Sequence, residues 1–377
     1  MFGRRFKLFN ILGFAVNIDL SWLIIALLVT WSLAHGYFPA KYTGLSTPTY
    51  WVMGAAGAVG LFFSIVFHEF CHSLVARRFG LSMKGITLFV FGGVAEMYEE
   101  PKSPKAEFFM AIAGPLSSIA LGLAVLAVGK AAESVLPLTV YGVIEYLALL
   151  NLILAGFNLV PAFPLDGGRV LRSALWYWKK DLRWATRWAT QSGSGFGALL
   201  MLFGTLNVIM GDVISGLWQF MIGMFLRSAA QTSYQQVMIR KVLEGETVAR
   251  LMKKDPVTVP AGISLRELVE EYVYAYHYKM YPVMEGQDLV GCISTRQVKE
   301  VPRNEWERRT VKEMALRCSP QNAIAPDTDA VQVLSVMNRT GNSRLLVVDK
   351  GRLVGIISLK DILALLAVKM DLGEVER

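Results

Sequence analysis

Charged residues are scarce in this chain of 377 residues. Asp, Glu, Lys and Arg make up 18% of it, hydrophobic residues make up 54%, and the mean hydropathy is +0.42. Soluble domains carry about 25% charged residues, so this composition indicates an integral membrane protein. The average hides a division, because the long apolar runs end near Ala230 and the remainder has the mixed charge of a soluble α/β segment.

Cysteine and histidine are also rare, with three and four residues. Cys71, Cys292 and Cys318 form no C-x-x-C pair, which argues against a thiolate zinc site and a disulfide framework. A cleavable signal peptide is not expected, because Asn17 and Asp19 interrupt the first apolar run before any cleavage site.

The formal net charge of +8 does not indicate nucleic-acid binding. Basic residues lie mostly beside the apolar runs, as in Arg77-Arg78 and Lys179-Lys180, rather than in a stripe with interleaved aromatic residues. This distribution is typical of the cytoplasmic loops of membrane proteins. We therefore expect no nucleic-acid partner.

Six apolar runs are long enough to cross a bilayer, which takes about 20 residues. They cover residues 20–38, 51–76, 106–129, 139–161, 194–210 and 213–229. An even number of spans places both termini on one side, and the Lys- and Arg-rich flanks assign that side to the cytoplasm. We expect a multi-pass protein of the cell membrane with cytoplasmic termini.

The second apolar run contains the sequence His68-Glu69-Phe70-Cys71-His72. Residues four apart share one face of a helix, so both imidazoles can reach one Zn²⁺ with Glu69 beside them. Ionisable groups inside a membrane span are costly and are read as functional. The motif predicts a zinc site within the membrane, and a pair of packed core histidines with an unrelated acid is the alternative.

A catalytic zinc takes three protein ligands and keeps an open position. Asp166 follows the fourth span, in a segment from Asn158 to Arg169 where two prolines and two glycines break the helix. Such a break allows a carboxylate to turn inward and supply the third ligand. Asp-Gly-Gly is also a common turn, so a plain loop is the alternative.

Residues 85–96, between the second and third spans, are apolar and β-prone but too short to cross the bilayer. Non-helical backbone is tolerated at membrane depth only where protein or a wet cavity satisfies it. A short hairpin or edge strand meets this condition and could pair with an extended peptide. An ordinary loop packed on the helices is the alternative.

The soluble part contains an internal repeat. Residues 281–294 match residues 345–358 at an offset of 64, and residues 257–260 match residues 323–326. Each copy reads as strand, helix, strand, turn, strand and helix. We place a membrane domain at residues 1–230, a linker at 231–246 and the repeat at 247–377, with its copies at 247–306 and 311–370.

These features together resemble a known family. H-E-x-x-H in an early span and N-x-x-P-x-x-P-L-D-G-G-R after a later one are similar to the motifs of the site-2 proteases, which are intramembrane zinc metalloproteases. The repeat resembles a pair of cystathionine-β-synthase (CBS) motifs, found in the six-span branch of that family. The resemblance implies a polytopic α-helical membrane domain with a short β segment, followed by a soluble α/β tandem CBS domain.

The resemblance also implies an activity, the hydrolysis of peptide bonds within or near the transmembrane segments of substrate proteins in the lipid bilayer. It implies one Zn²⁺ per chain bound by His68, His72 and Asp166, with Glu69 as the catalytic base and Asn158 facing the reacting carbonyl. The family often has Asn where this chain has Ser118, so Ser118 is left out of the site.

For the CBS pair the resemblance implies an adenine nucleotide, ATP, ADP or AMP, bound through Asp361 with Ser358 and Thr258 nearby. Our hypothesis is that this nucleotide regulates the protease by gating access to the zinc. The first copy has Gln297 in place of the ribose-binding Asp, so a second site is not expected. A structural or dimerising module is the alternative, and a homo-oligomer through the CBS domains is left open.

Two other functions are weighed against the protease. A CBS-regulated ion transporter or channel would use Glu69 and Asp166 as ion ligands, although the spans show no inverted repeat. An inactive relative would bind membrane partners without cutting them, and the intact H-E-x-x-H motif argues against it.

Overall fold

A computed structural model describes residues 5–81, 83–89, 92–97 and 101–372. The chain divides into two compact units, Met1–Val237 and Met238–Arg377. The first is built mainly of long helices, and the second of short helices and strands.

In the described part of the chain, six helices are long and apolar enough to cross a membrane, as predicted. They are Leu20–Lys41, Thr47–Arg78, Pro104–Ala131, Leu138–Asn158, Leu182–Ile209 and Val213–Leu243. The first comprises α1 (Leu20–Ser32), a π-helical turn (Leu33–Tyr37) and α2 (Phe38–Lys41). The other five are α3, α4, α5, α7 and α8, and the shorter α6 (Asp166–Lys179) lies between α5 and α7.

Most of the predicted boundaries differ from the observed helices by a few residues, and three of the differences affect the site or the linker. The fourth span ends at Asn158 rather than at residue 161, before the segment with Pro161 and Pro164. The fifth begins at Leu182 rather than at residue 194, because Asp181 caps it by accepting hydrogen bonds from two backbone N–H groups. The sixth continues to Leu243, so the expected linker at 231–246 is mostly helical.

The predicted β segment is part of a larger sheet. Within the described residues its strands lie in the order β1 (Arg5–Ile11), β2 (Phe14–Asp19), β3 (Met83–Phe89) and β4 (Gly92–Met97). Strands β3 and β4 form the expected antiparallel hairpin, although Val90 and Phe91 of that segment lie outside the described residues. Strand β2 pairs with β3 in parallel.

The N-terminal hairpin of β1 and β2 is not among the elements predicted from the sequence. Leu12 and Gly13 both have positive φ, 47° and 89°, as the two-residue type I′ turn requires. The first position of such a turn usually has Asn or Asp, whereas here it is occupied by Leu12. The hairpin matters for the site, because Val16 of β2 and Ile86 of β3 pack on Val66 of α3.

The second unit contains two copies of one motif. The first has α9 (Val248–Leu251), β5 (Val259–Pro260), α10 (Leu265–Glu267), a π-helical turn (Leu268–Val273), α11 (Tyr274–Tyr276), β6 (Met280–Glu285), β7 (Asp288–Ser294), α12 (Thr295–Glu300) and a 3₁₀ turn (Arg303–Glu305). The second has α13 (Val311–Met314), β8 (Ala323–Ile324), α14 (Ala330–Thr340), β9 (Arg344–Asp349), β10 (Arg352–Ser358) and α15 (Leu359–Asp371).

The strand pairing agrees with the longer repeat match. Both copies form a parallel pair followed by an antiparallel pair, and β6 and β7 correspond to β9 and β10 at the predicted offset. The shorter match is wrong by one residue. Val259 pairs with Val283 and Ile324 pairs with Val347, so Val259 corresponds to Ile324 rather than to Ala325.

Each copy completes the sheet of the other. Lys253, which precedes β5, exchanges two backbone hydrogen bonds with Ile356 of β10, at 2.8 and 3.0 Å. Leu316, which precedes β8, exchanges two with Cys292 of β7, at 2.8 and 2.9 Å. This contact between the copies explains why residue 291 is a glycine. An added Cβ there would lie under 3.0 Å from the carbonyl oxygen of Leu316.

The close contact between Gly291 and Leu316 can be tested by mutation. Gly291→Ala is expected to lower the free energy of unfolding of the second unit by about 1–3 kcal/mol, because the methyl group displaces the segment around Leu316. Trp306 is the sole tryptophan of residues 238–377 and packs in the core of the first copy, so its fluorescence reports urea unfolding of that fragment.

Gly262→Ala is the matched control, because no atom lies within 4 Å of the added Cβ. Its effect is expected to stay within about 0.5 kcal/mol. Equal unfolding midpoints for the two variants would contradict the close approach at Gly291.

Candidate active site

His68 and His72 lie one turn apart on the buried face of α3. Their exposed fractions are 3% and 7%, and their Nε2 atoms are 3.1 Å apart. The spacing of four residues therefore brings the rings together as the sequence predicts. Glu69, between them in sequence, is partly exposed.

Asp166 is the first residue of α6, and it meets both imidazoles. Its Oδ2 lies 3.0 Å from Nε2 of His68 and 3.2 Å from Nε2 of His72. A tetrahedral zinc with ligand bonds of about 2.0–2.2 Å holds its ligand atoms about 3.3 Å apart. The two imidazole nitrogens and the carboxylate oxygen therefore have both the chemistry and the spacing to bind one zinc ion.

The other ring nitrogens of both histidines have hydrogen-bond partners on α4. Nδ1 of His72 lies 2.6 Å from the carbonyl oxygen of Met110, which can only accept, so Nδ1 donates and Nε2 is left for a metal. Nδ1 of His68 lies 2.9 Å from Oγ of Ser118. Ser118 was excluded from the site on sequence, yet its hydroxyl orients a histidine.

Gly114 allows α4 to approach the two rings. A Cβ at this position would lie under 3.0 Å from Nε2 of both His68 and His72. Ser118 is one turn further along the same face of α4, which is the sequence signal that could have identified it.

A buried ion pair fixes α6 against α4. Nε of Arg172 donates to Oε1 of Glu107 at 2.7 Å, and a second guanidinium nitrogen contacts the same oxygen. Both side chains are buried, and the guanidinium also lies 5.1 Å from the ring centroid of Phe163. The pair locates the helix on which Asp166 is the first residue.

The segment before Asp166 folds back closely on α6. An added Cβ on Gly167 would lie under 3.0 Å from backbone atoms of Leu159. An added Cβ on Gly168 would lie equally close to backbone atoms of Phe163. The two glycines of the Asp-Gly-Gly sequence therefore permit the turn that directs Asp166 toward the histidines.

Glu69 lies beside the edge of the sheet. A Cβ on Gly93 of β4 would come within 3.0 Å of Cγ of Glu69, and β4 is the last strand in the described sheet order. Asn158, in contrast, ends α5 and donates from its amide to the carbonyl oxygen of Leu154 at 3.0 Å. The structure thus shows this amide bonded within its own helix.

The cysteines take no part in the cluster. Cys71 on α3 is half-buried, Cys318 is exposed, and all three thiols are free. Burial raises the pKa of the Cys292 thiol to about 11, so this thiol stays protonated at neutral pH.

In the second unit, Ser358 and Asp361 form a capping box at the start of α15. Oδ2 of Asp361 accepts from the N–H and hydroxyl of Ser358, at 2.8 and 2.6 Å. Ser294 and Gln297 form the same arrangement in the first copy, at 2.8 and 2.9 Å. Thr258 is exposed and immediately precedes β5.

Comparisons with known proteins agree with this arrangement. The model of peptidase family M50 matches residues 56–135 and 131–203, and the CBS domain model matches residues 248–303 and 312–368. The chain is 34% identical over 362 residues to Rip3 of Mycobacterium tuberculosis (strain ATCC 25618 / H37Rv), covering 95% of this chain and 92% of that protein.

Two proteins of Methanocaldococcus jannaschii are also similar. A zinc metalloprotease is 30% identical over 364 residues, which cover 96% of each chain. The solved site-2 protease is 31% identical, with a TM-score of 0.45, and the match covers 61% of this chain and 94% of that one. The chain therefore belongs to peptidase family M50, as an integral membrane zinc metalloprotease of the site-2 protease type with tandem CBS domains.

Proposed function

We propose that the protein cuts peptide bonds within or near the transmembrane segments of membrane-protein substrates, with one Zn²⁺ bound by His68, His72 and Asp166. The supporting observation is the convergence of these three ligands at 3.0–3.2 Å, with both histidines on a helix apolar enough to span a membrane. A site at that depth acts on peptide bonds that soluble proteases do not reach.

The chain's own residues have distinct tasks in this reaction. Zn²⁺, when bound, lowers the pKa of water and polarises a peptide carbonyl. Glu69 takes a proton from the attacking water and returns it to the leaving amine. Ser118 and the Met110 carbonyl keep the imidazoles oriented. Asn158 can donate to the developing oxyanion through its second amide N–H, since the carbonyl of Leu154 accepts only one of the two.

The substrate must unwind, because a helical segment keeps its carbonyl groups in hydrogen bonds. Strand β4 is suited to receive the unwound segment by strand addition, since it lies at the described edge of the sheet with Gly93 beside Glu69. Pairing there would carry the scissile bond past the catalytic base.

Exchange of the base separates binding from chemistry. Glu69→Gln is expected to keep about one zinc per chain and to reduce cleavage by about 10²–10⁴-fold, because only the proton transfer is lost. Substrates can be identified by comparing the membrane proteomes of cells that produce the wild type with those of cells that produce the variant. Substrate fragments still anchored in the membrane are expected to accumulate with the variant. Cleavage of those fragments at the wild-type rate by purified Glu69→Gln protein would refute the mechanism.

Metal content tests the ligand set directly. Asp166→Asn and His68→Ala are expected to lose zinc from detergent-purified protein. Gly114→Ala is expected to weaken zinc affinity about 10–100-fold, because its methyl group displaces the imidazoles.

Gly156→Ala is the matched control for this series, because nothing lies within 4 Å of its added Cβ, and its zinc content should equal that of the wild type. Wild-type protein that binds no zinc but exchanges cations across a bilayer would favour the transporter alternative.

We further propose that the termini and the CBS pair are cytoplasmic and that the pair binds one adenine nucleotide. The Lys- and Arg-rich flanks support this orientation. Asp361, with Ser358 beside it, supports a single site in the second copy. The same proposal includes Thr258 as a residue near the nucleotide, and the association of two chains through their CBS domains.

Calorimetric titration of the full-length protein with ATP, ADP and AMP tests the nucleotide site. Asp361→Ala should abolish the binding heat. Gln297→Ala removes the equivalent cap from the first copy and should leave binding unchanged, so it controls for the loss of a capping box. Absence of heat with all three nucleotides in the wild type would leave a structural role for the pair.

A further inference from the structure

The turn between α6 and α7 concentrates aromatic and basic side chains. We name this group the aromatic–basic turn, and it comprises Tyr177, Trp178, Lys179, Lys180, Arg183, Trp184, Arg187 and Trp188. From the sequence, Lys179-Lys180 is a basic flank of an apolar run, and no stripe with interleaved aromatic residues is expected there. The structure shows that the rings and the cations of this segment are spatially mixed.

Three of the four aromatic rings of the turn are exposed, and that of Trp184 is partly buried. The exposed fractions of Tyr177, Trp178 and Trp188 are 68%, 69% and 52%. Lys179 and Arg187 are exposed as well. Large exposed rings beside cations mark an interaction site.

The cations lie over ring faces. Nζ of Lys179 is 4.6 Å from the ring centroid of Trp178 and 5.8 Å from that of Trp184, and Nζ of Lys180 is 4.2 Å from that of Tyr177. Trp184 also lies 6.1 Å from Trp188. Positive charge is therefore held at the margin of a continuous aromatic surface.

Asp181, the one acid of this segment, offsets only part of that charge. Four basic residues stand against Asp181, and its carboxylate accepts from the backbone N–H groups of Arg183 and Trp184, at 2.8 and 3.1 Å. The turn is consequently a cationic surface with apolar rings, which is complementary to an anionic amphiphile.

The length of α7 places the turn at the membrane surface. Its 28 residues extend about 42 Å, whereas the hydrocarbon core is about 30 Å thick. The apolar C-terminal end, with Ile209 exposed, belongs to the core, so the surplus of about 12 Å lies at the end with Arg183 and Arg187. Tryptophan, tyrosine and basic residues are favoured at this depth.

We propose that the aromatic–basic turn binds the headgroups of anionic phospholipids. The phosphates contact Lys179, Lys180 and Arg187, while the rings of Trp178 and Trp188 lie among the glycerol and ester groups. Aromatic and basic residues also suit nucleic acid, but the turn continues directly into a membrane span, which favours lipid. The bound lipid holds one end of α6, the helix that begins with Asp166.

Native mass spectrometry of the full-length protein in detergent tests the proposal. Phosphatidylglycerol is expected to bind in preference to phosphatidylcholine. Lys179→Gln/Lys180→Gln should weaken phosphatidylglycerol binding by on the order of tenfold, since each basic residue near a membrane surface contributes to anionic-lipid affinity. Lys179→Arg/Lys180→Arg keeps the charge and should bind as the wild type does.

Lys254→Gln/Lys299→Gln is the matched control, because it removes the same charge from exposed positions of the second unit. Equal losses in the two Gln pairs, unchanged binding in Lys179→Gln/Lys180→Gln, or no preference between the two lipids would overturn the proposal. Displacement of phosphatidylglycerol by inorganic phosphate or by a single-stranded RNA at equal phosphorus concentration would do so as well. None of these readouts depends on zinc or on protease activity.

Discussion

Two imidazoles and a carboxylate meet within hydrogen-bond distance inside a bundle whose outer surface is apolar. Burial of such groups costs free energy unless every polar atom has a partner. Nδ1 of His68 and of His72 have partners on α4, so the requirement falls on Nε2 and on Asp166, which face one another. A metal ion satisfies this remaining set. The close approach of α4 at Gly114 follows from the same requirement, because no side chain fits between the backbone and the rings.

Asp166 depends on a second buried polar contact, which lies on α6 itself and ties this short helix to α4. Arg172 and Glu107 form this contact, and neither is solvated. Removal of one partner from a buried pair leaves an uncompensated charge, at a cost of about 3–5 kcal/mol. The ion pair therefore positions Asp166, which we propose as the third zinc ligand. The glycines at 167 and 168 serve the same end, by allowing the preceding segment to fold tightly against the helix.

The sequence allows His68, His72 and Asp166 to be proposed as one cluster, partly from local rules and partly from the resemblance to the site-2 proteases. The structure brings the three side chains together. His68 and His72 share a helix face by spacing, and Asp166 follows a helix broken by proline and glycine. Ser118 is harder to identify, since its partner lies 50 residues away. Its position one turn from Gly114 is informative only once Gly114 is known to lie against the histidines. The N-terminal hairpin could not be predicted, because Asn or Asp usually marks the left-handed turn position that Leu12 occupies here. The loss of hydrophobicity after Ala230 predicts a linker at 231–246. The helix nevertheless continues to Leu243, because no proline or glycine occurs between residues 231 and 243.

The capping boxes explain why one nucleotide site is expected from two similar copies. In both copies the cap occupies one side-chain oxygen, Oδ2 of Asp361 or Oε1 of Gln297. A carboxylate keeps a second oxygen as an acceptor for ribose hydroxyls. The second group of Gln297 is instead an amide nitrogen, and it already donates to the carbonyl oxygen of Met314 at 2.6 Å. The first copy thus retains the fold of the motif without this second acceptor oxygen, which is the physical basis for proposing a single nucleotide site, in the second copy.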